Sequence, residues 1–134
     1  MCLYVQKSIN PLSYAKENYG FKVFTPTLNG LRSIHRWRNR PALKEKTWYA
    51  CDKYAGLDKD FTIPDQNQSS YHPGWHVYKF HKHARQNKIG NEVIMQVKIR
   101  KIITSGLDGV DNNAQVIVVK HMYIIPDNER VALT

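Results

Sequence analysis

Residues 92–104, EVIMQVKIRKIIT, alternate strictly: Val93, Met95, Val97 and Ile99 fall on one side of an extended chain, and Ile94, Gln96, Lys98 and Arg100 on the other. Residues 114–125, AQVIVVKHMYII, are instead apolar almost without interruption, which is the pattern of a central strand buried on both faces. Gly, Asp and Asn fill the connection between them, SGLDGVDNN, so the two strands are expected to pair as an antiparallel hairpin rather than through a crossover. A chain built around this pair must be organised by a sheet.

The remaining segments fit that frame. GFKVF at 20–24 alternates, with Phe21 and Val23 on one face and Lys22 and Phe24 on the other, and Pro26 and the Leu28–Gly30 turn close it. LRSIHRW at 31–37 returns as its hairpin partner. Residues 41–54 read equally as a short helix from Pro41 or as a strand centred on Trp48. Residues 55–74 form the longest polar stretch, with Pro64 and Pro73 in it, and long loops of this kind are often functional. After Pro73-Gly74, WHVY is a short strand and residues 79–88 are a helix stopped by Gly90, with Phe80 and Ala84 sharing a face. The expected architecture is α+β, a mainly antiparallel sheet with one or two helices packed on it, in a single domain covering 1–134.

Charge narrows the partners. In 134 residues, 20 Lys+Arg face 11 Asp+Glu, a formal net charge of +9, so the surface attracts polyanions. Two cysteines, Cys2 and Cys51, are too few for a disulfide framework, and the N-terminus lacks the pattern of a secretory signal. No stretch reaches the ~18 apolar residues of a membrane span. The expectation is a cytoplasmic protein, with no membrane partner.

Four of the six histidines lie in YHPGWHVYKFHKHAR, residues 71–85. His72 and His76 have metal-ligand spacing, but Pro73-Gly74 between them forbids the helix that a zinc pair of this kind needs. No Cys-x-x-Cys or carboxylate completes a zinc set, so neither a metal nor a cofactor is expected. His76 reads as a packed strand residue. Lys79, His81, Lys82, His83 and Arg85 read as a secondary basic helix face.

The main ligand site is expected on RSIHRWRNRPALKEK. Arg32, Arg36, Arg38 and Arg40 are separated by even numbers and project to one side of an extended chain, and Trp37 beside them offers a stacking surface. Lys98 and Arg100 share a strand face and extend the basic surface; Lys101, Lys120 and His121 lie close to them in the hairpin. Catalytic patterns are absent: no Walker loop, no G-x-S-x-G, no paired carboxylates. The reading is a non-enzymatic protein that binds nucleic acid, a phosphate-bearing nucleotide, or a host protein complex carrying one. The alternatives are a protein-binding inhibitor whose basic surface is incidental, and a nucleotide-using transferase.

The opening MCL, then AKENYGFKVF, GLRS and YHPGWHVYKFHKHAR resemble a loosely defined family of small phage and bacterial proteins. Its Gly-aromatic-His-x-aromatic strand and following Ala correspond to Gly74, Trp75, His76, Tyr78 and Ala84. The resemblance implies a phage or mobile-element protein, acting in the host cytoplasm as an inhibitor of host defence; it implies no activity and no site residues. A Gly-aromatic strand followed by a helix also resembles ADP-ribosyltransferase cores, but this chain lacks a catalytic Glu in that context.

Overall fold

The computed structural model describes residues 18–33, 42–51, 63–64, 70–71, 74–108 and 114–132. Their strands are β1 (Asn18–Thr27), β2 (Gly30–Ser33), β3 (Trp48–Ala50), β4 (Ile63–Pro64), β5 (Ser70–Tyr71), β6 (Trp75–Tyr78), β7 (Val93–Asp108) and β8 (Ala114–Ile124). One α-helix, α1 (His81–Asn87), lies among them. The fold is a mainly antiparallel sheet with a helix packed on it. No helix among the described residues is long and apolar enough to cross a membrane.

β1, β6, β7 and β8 lie where the sequence places strands, and β7 and β8 form the long antiparallel hairpin, whereas β4 and β5 fall in the polar stretch read as loop. β1 pairs with the first half of β7, from Asn18 opposite Ile99 to Phe24 opposite Val93. β1 then outruns β7 and turns through Leu28-Asn29 into β2. Pro26 falls in this outrunning part, opposite Leu31, where its missing N–H deprives β7 of nothing. Residues 41–54, open in the sequence to helix or strand, contain β3, which pairs with β8 from Trp48–Tyr123 to Ala50–His121.

The pairing closes on itself. β1 pairs with β7, β7 with β8, β8 with β6, and β6 returns to β1 through Phe21 opposite Tyr78. β6 is thus wedged between β1 and β8, and two glycines give it room. A Cβ on Gly74 would stand 2.6 Å from the Val119 carbonyl oxygen; one on Gly20 would collide with the Val77 side chain. Trp75 fixes the wedge from inside, fully buried and donating its indole N–H to the Tyr49 carbonyl at 3.0 Å.

Two apolar clusters result. Inside the ring lie Phe24, Trp75, Val77, Met95, Val97, Ile99, Ile102, Val119, Met122 and Ile124. Outside it, Phe21, Val23, Tyr78, Ala114, Val116 and Val118 pack with Ala84 of α1. β8 feeds both clusters: its outer face is buried at Ala114, Val116 and Val118 and only partly covered at His121 and Tyr123. Lys22 shares the inner face with Phe24, and its buried ammonium donates to the His76 carbonyl at 2.7 Å, as a buried charge requires.

β7 and β8 bend together at one corner. Ile99 and Ile102 both face the inner cluster although three residues apart, and so do Val119 and Met122. The faces reverse between Arg100–His121 and Ile102–Val119, and the register shifts just beyond, between Ile102 and Thr104. At the reversal Lys101 takes a left-handed backbone (φ 58°), and Lys101 and Lys120 stand exposed.

Candidate nucleic-acid interface

Inward alternation of Val97 and Ile99 turns Lys98 and Arg100 outward on β7. Register then decides their neighbours. Lys98 opposes Tyr123 of β8, which opposes Trp48 of β3; on its other side Lys98 opposes Tyr19 of β1. Trp48, Tyr123, Lys98 and Tyr19 therefore form one row across four strands. The next rung holds Ala50, His121 and Arg100.

Trp48, Tyr123 and Lys98 of this row are in contact, and Arg100 reaches over from the neighbouring rung. The Trp48 and Tyr123 rings are 5.4 Å apart at a tilt of 46°. The Arg100 guanidinium lies 4.1 Å from the Trp48 ring centroid and the Lys98 ammonium 5.0 Å from that of Tyr123. Each cation is held over an aromatic face by the ring quadrupole, an attraction of about 0.5–1 kcal/mol at exposed sites. Lys101 and Lys120 add charge at the adjoining corner. No acidic residue occurs in 18–19, 48–50, 98–101 or 120–123. Chemically, the surface offers flat rings and a guanidinium plane for stacking, with ammonium groups beside them for phosphate.

The structure brings together Lys98 and Arg100 of the residues expected from sequence. Arg32 is exposed on β2, opposite Thr25 and beyond β1 from this row. Arg36, Trp37, Arg38 and Arg40 lie outside the described residues. Lys79 and Lys82 flank the half-exposed Phe80 ring at 5.5 and 5.9 Å, and Arg85 is exposed. Phe80 thus precedes α1 at the surface instead of sharing Ala84's buried face.

His83 corrects the expected basic face. It is buried, and its Nδ1 accepts the Gln115 backbone N–H at 3.0 Å. Two residues of helix rotate it about 200° from His81, toward the sheet beside Ala84. Burial, then the nearby Lys82 charge, lowers its pKa below the ordinary 6.5. His83 is therefore a neutral acceptor within the fold. His76 is buried as well, its Nδ1–H donating to the Gly74 carbonyl at 3.2 Å.

Trp48, Tyr123 and Tyr19 were not singled out in the sequence. Trp48 and Tyr123 each adjoin a core residue, Tyr19 lies between Asn18 and Gly20, and only the pairing of four separate strands aligns them. No protein-family model, curated protein or solved structure matches the chain.

Proposed function

We propose that the protein binds single-stranded nucleic acid across β3, β8, β7 and β1. The observation that carries this reading is the in-register row Trp48–Tyr123–Lys98–Tyr19, with Arg100 already stacked on Trp48. Four strands spaced about 4.8 Å apart make a row of roughly 14 Å, enough for two or three stacked bases. Bases stack on Tyr123, Tyr19 and the outer plane of Arg100, while Lys98, Lys101 and Lys120 meet the phosphates. Such stacking is indifferent to sequence, since every base presents a π-face. Inhibition of host defence, the role that the resemblance to phage proteins implies, would then work by occupying nucleic acid that the defence must read.

The test is fluorescence anisotropy with a labelled oligothymidylate and with a duplex of equal length. Affinity for the single strand should exceed that for the duplex and fall steeply with salt as counterions are released. Tyr123→Ala and Tyr19→Ala should each weaken binding by about 1–3 kcal/mol, the value of one stacked base, and Trp48→Ala should weaken it by releasing Arg100 from its platform. Lys98→Ala should flatten the salt slope by about one contact. Folded variants that bind as tightly as the parent would move the ligand off this face. Absence of nucleic-acid binding at low salt would return the protein to the reading of a protein-binding inhibitor.

A further inference from the structure

Two residues along β1 from Tyr19, on the same face, Phe21 carries a second group of basic side chains. His81 sets its ring edge-on to Phe21, with centroids 5.2 Å apart at 89°. The Arg130 guanidinium lies 5.7 Å from the centroid of the same ring. Arg85 stands one turn along α1 from His81, on the same side of the helix. Two segments distant in sequence thus deliver basic groups to one spot.

Arg130 is held there by its neighbour. The Val131 N–H donates to Gln96 Oε1 at 2.7 Å, and the Val131 carbonyl accepts from Gln96 Nε2 at 2.9 Å. Gln96 is almost fully buried on β7 and directly opposes Phe21. A buried amide therefore pins the segment bearing Arg130 at the rung that Phe21 occupies. Among the described residues neither Arg85 nor Arg130 pairs with a carboxylate; the salt bridge there joins Lys46 to Glu129. Positioned, mutually repelling and unneutralised cations are an arrangement that an anion completes.

We propose that His81, Arg85 and Arg130 form a phosphate site, distinct from the stacking row, and that His81 takes up a proton from solvent when the phosphate group binds. The charges facing His81 are Arg85 on its own helix and Arg130 on the C-terminal segment; the strand surfaces that α1 covers present Phe21, Val23, Tyr78 and Val116, which carry none. Burial, followed by those two arginines, keeps the imidazole below its ordinary value of 6.5, so it is neutral at neutral pH. A bound phosphate cancels the repulsion and favours the imidazolium, which then donates to a phosphate oxygen. By linkage, the protonated protein binds phosphate more tightly, and binding weakens as pH rises through the His81 value of the complex.

The site stands whether or not the sheet face binds nucleic acid, and one measurement separates the two. The imidazole signals are followed by NMR during pH titrations in chloride and in inorganic phosphate at matched ionic strength. Phosphate should raise the His81 pKa by about one unit, equivalent to about tenfold tighter binding by the protonated form. Buried His83 should not move. The exposed double variant Arg85→Gln/Arg130→Gln should abolish the response, while Trp48→Ala, which disrupts the stacking row, should leave it intact. Short oligothymidylates then identify the source of the phosphate. If it is a strand terminus, a 5′-phosphorylated oligomer shifts His81 at lower concentration than its unphosphorylated counterpart; if it is a free anion, the two act alike and inorganic phosphate suffices. A His81 value that is the same in phosphate and chloride, or a phosphate response that survives in the double variant, would overturn the site.

Discussion

His83 accepts a backbone N–H on Nδ1, and that single bond makes part of the protein's stability depend on pH. Burial, and then the Lys82 charge, hold the folded value below 6.5, and protonating Nδ1 would also set two hydrogens against each other. The unfolded chain then binds the proton more readily than the folded one. The contribution is complete above about pH 6.5 and is lost as pH falls through the folded value, with a slope of at most about 1.4 kcal/mol per pH unit. Melting temperatures measured from pH 7.5 down to 5 should drop accordingly. In His83→Gln, whose amide oxygen can accept the same N–H without titrating, the drop should shrink to what His81 leaves. An unchanged profile would show that His83 is not the group responsible. The sequence contained half of this: spacing separates His81 from His83 around a helix, but which of them faces inward depends on the sheet beneath. The same holds for Lys22, which alternation correctly aligned with Phe24 although it is charged.

Among the elements, β7 and β8 were legible because side-chain period and chain direction are both local properties. Their shared corner was not. A left-handed residue is ordinarily announced by Gly or Asn, and here it is Lys101, whose conformation follows from the two strands reversing their faces at one rung. A side chain in that region costs roughly 1–2 kcal/mol, partly offset by the greater freedom that glycine has in the unfolded chain. Lys101→Gly should therefore stabilise the protein by roughly 0.5–1 kcal/mol, and Lys101→Val should destabilise it by at least as much. Chemical denaturation of the two variants gives the answer; a destabilising glycine together with a neutral valine would mean that the corner is not strained. Boundaries also shifted where tertiary contacts intervene. α1 begins at His81 rather than at Lys79, whose N–H instead donates to the Gln115 carbonyl at 2.9 Å.

At the scale of the molecule, the antiparallel sheet with its helix followed from composition and pattern, but the closure of the pairing did not. Nothing in WHVY says that its two edges meet strands on both sides, one more than 50 residues before it and one more than 35 after. The candidate interface was hidden for the same reason: Lys98 and Arg100 were visible as a pair, whereas Trp48, Tyr123 and Tyr19 join them only through register. That closure has a consequence for how the protein comes into being. Synthesis delivers β1 long before β7, the strand that satisfies most of its backbone, so on the ribosome β1 waits with its β7 edge bare while most of the chain is made. The ring can be completed only once β8 has emerged to seat β6, and the protein must acquire its structure late and all at once. Stalled chains ending before β8 should be degraded by protease throughout, β1 included, and should depend on chaperones to stay in solution.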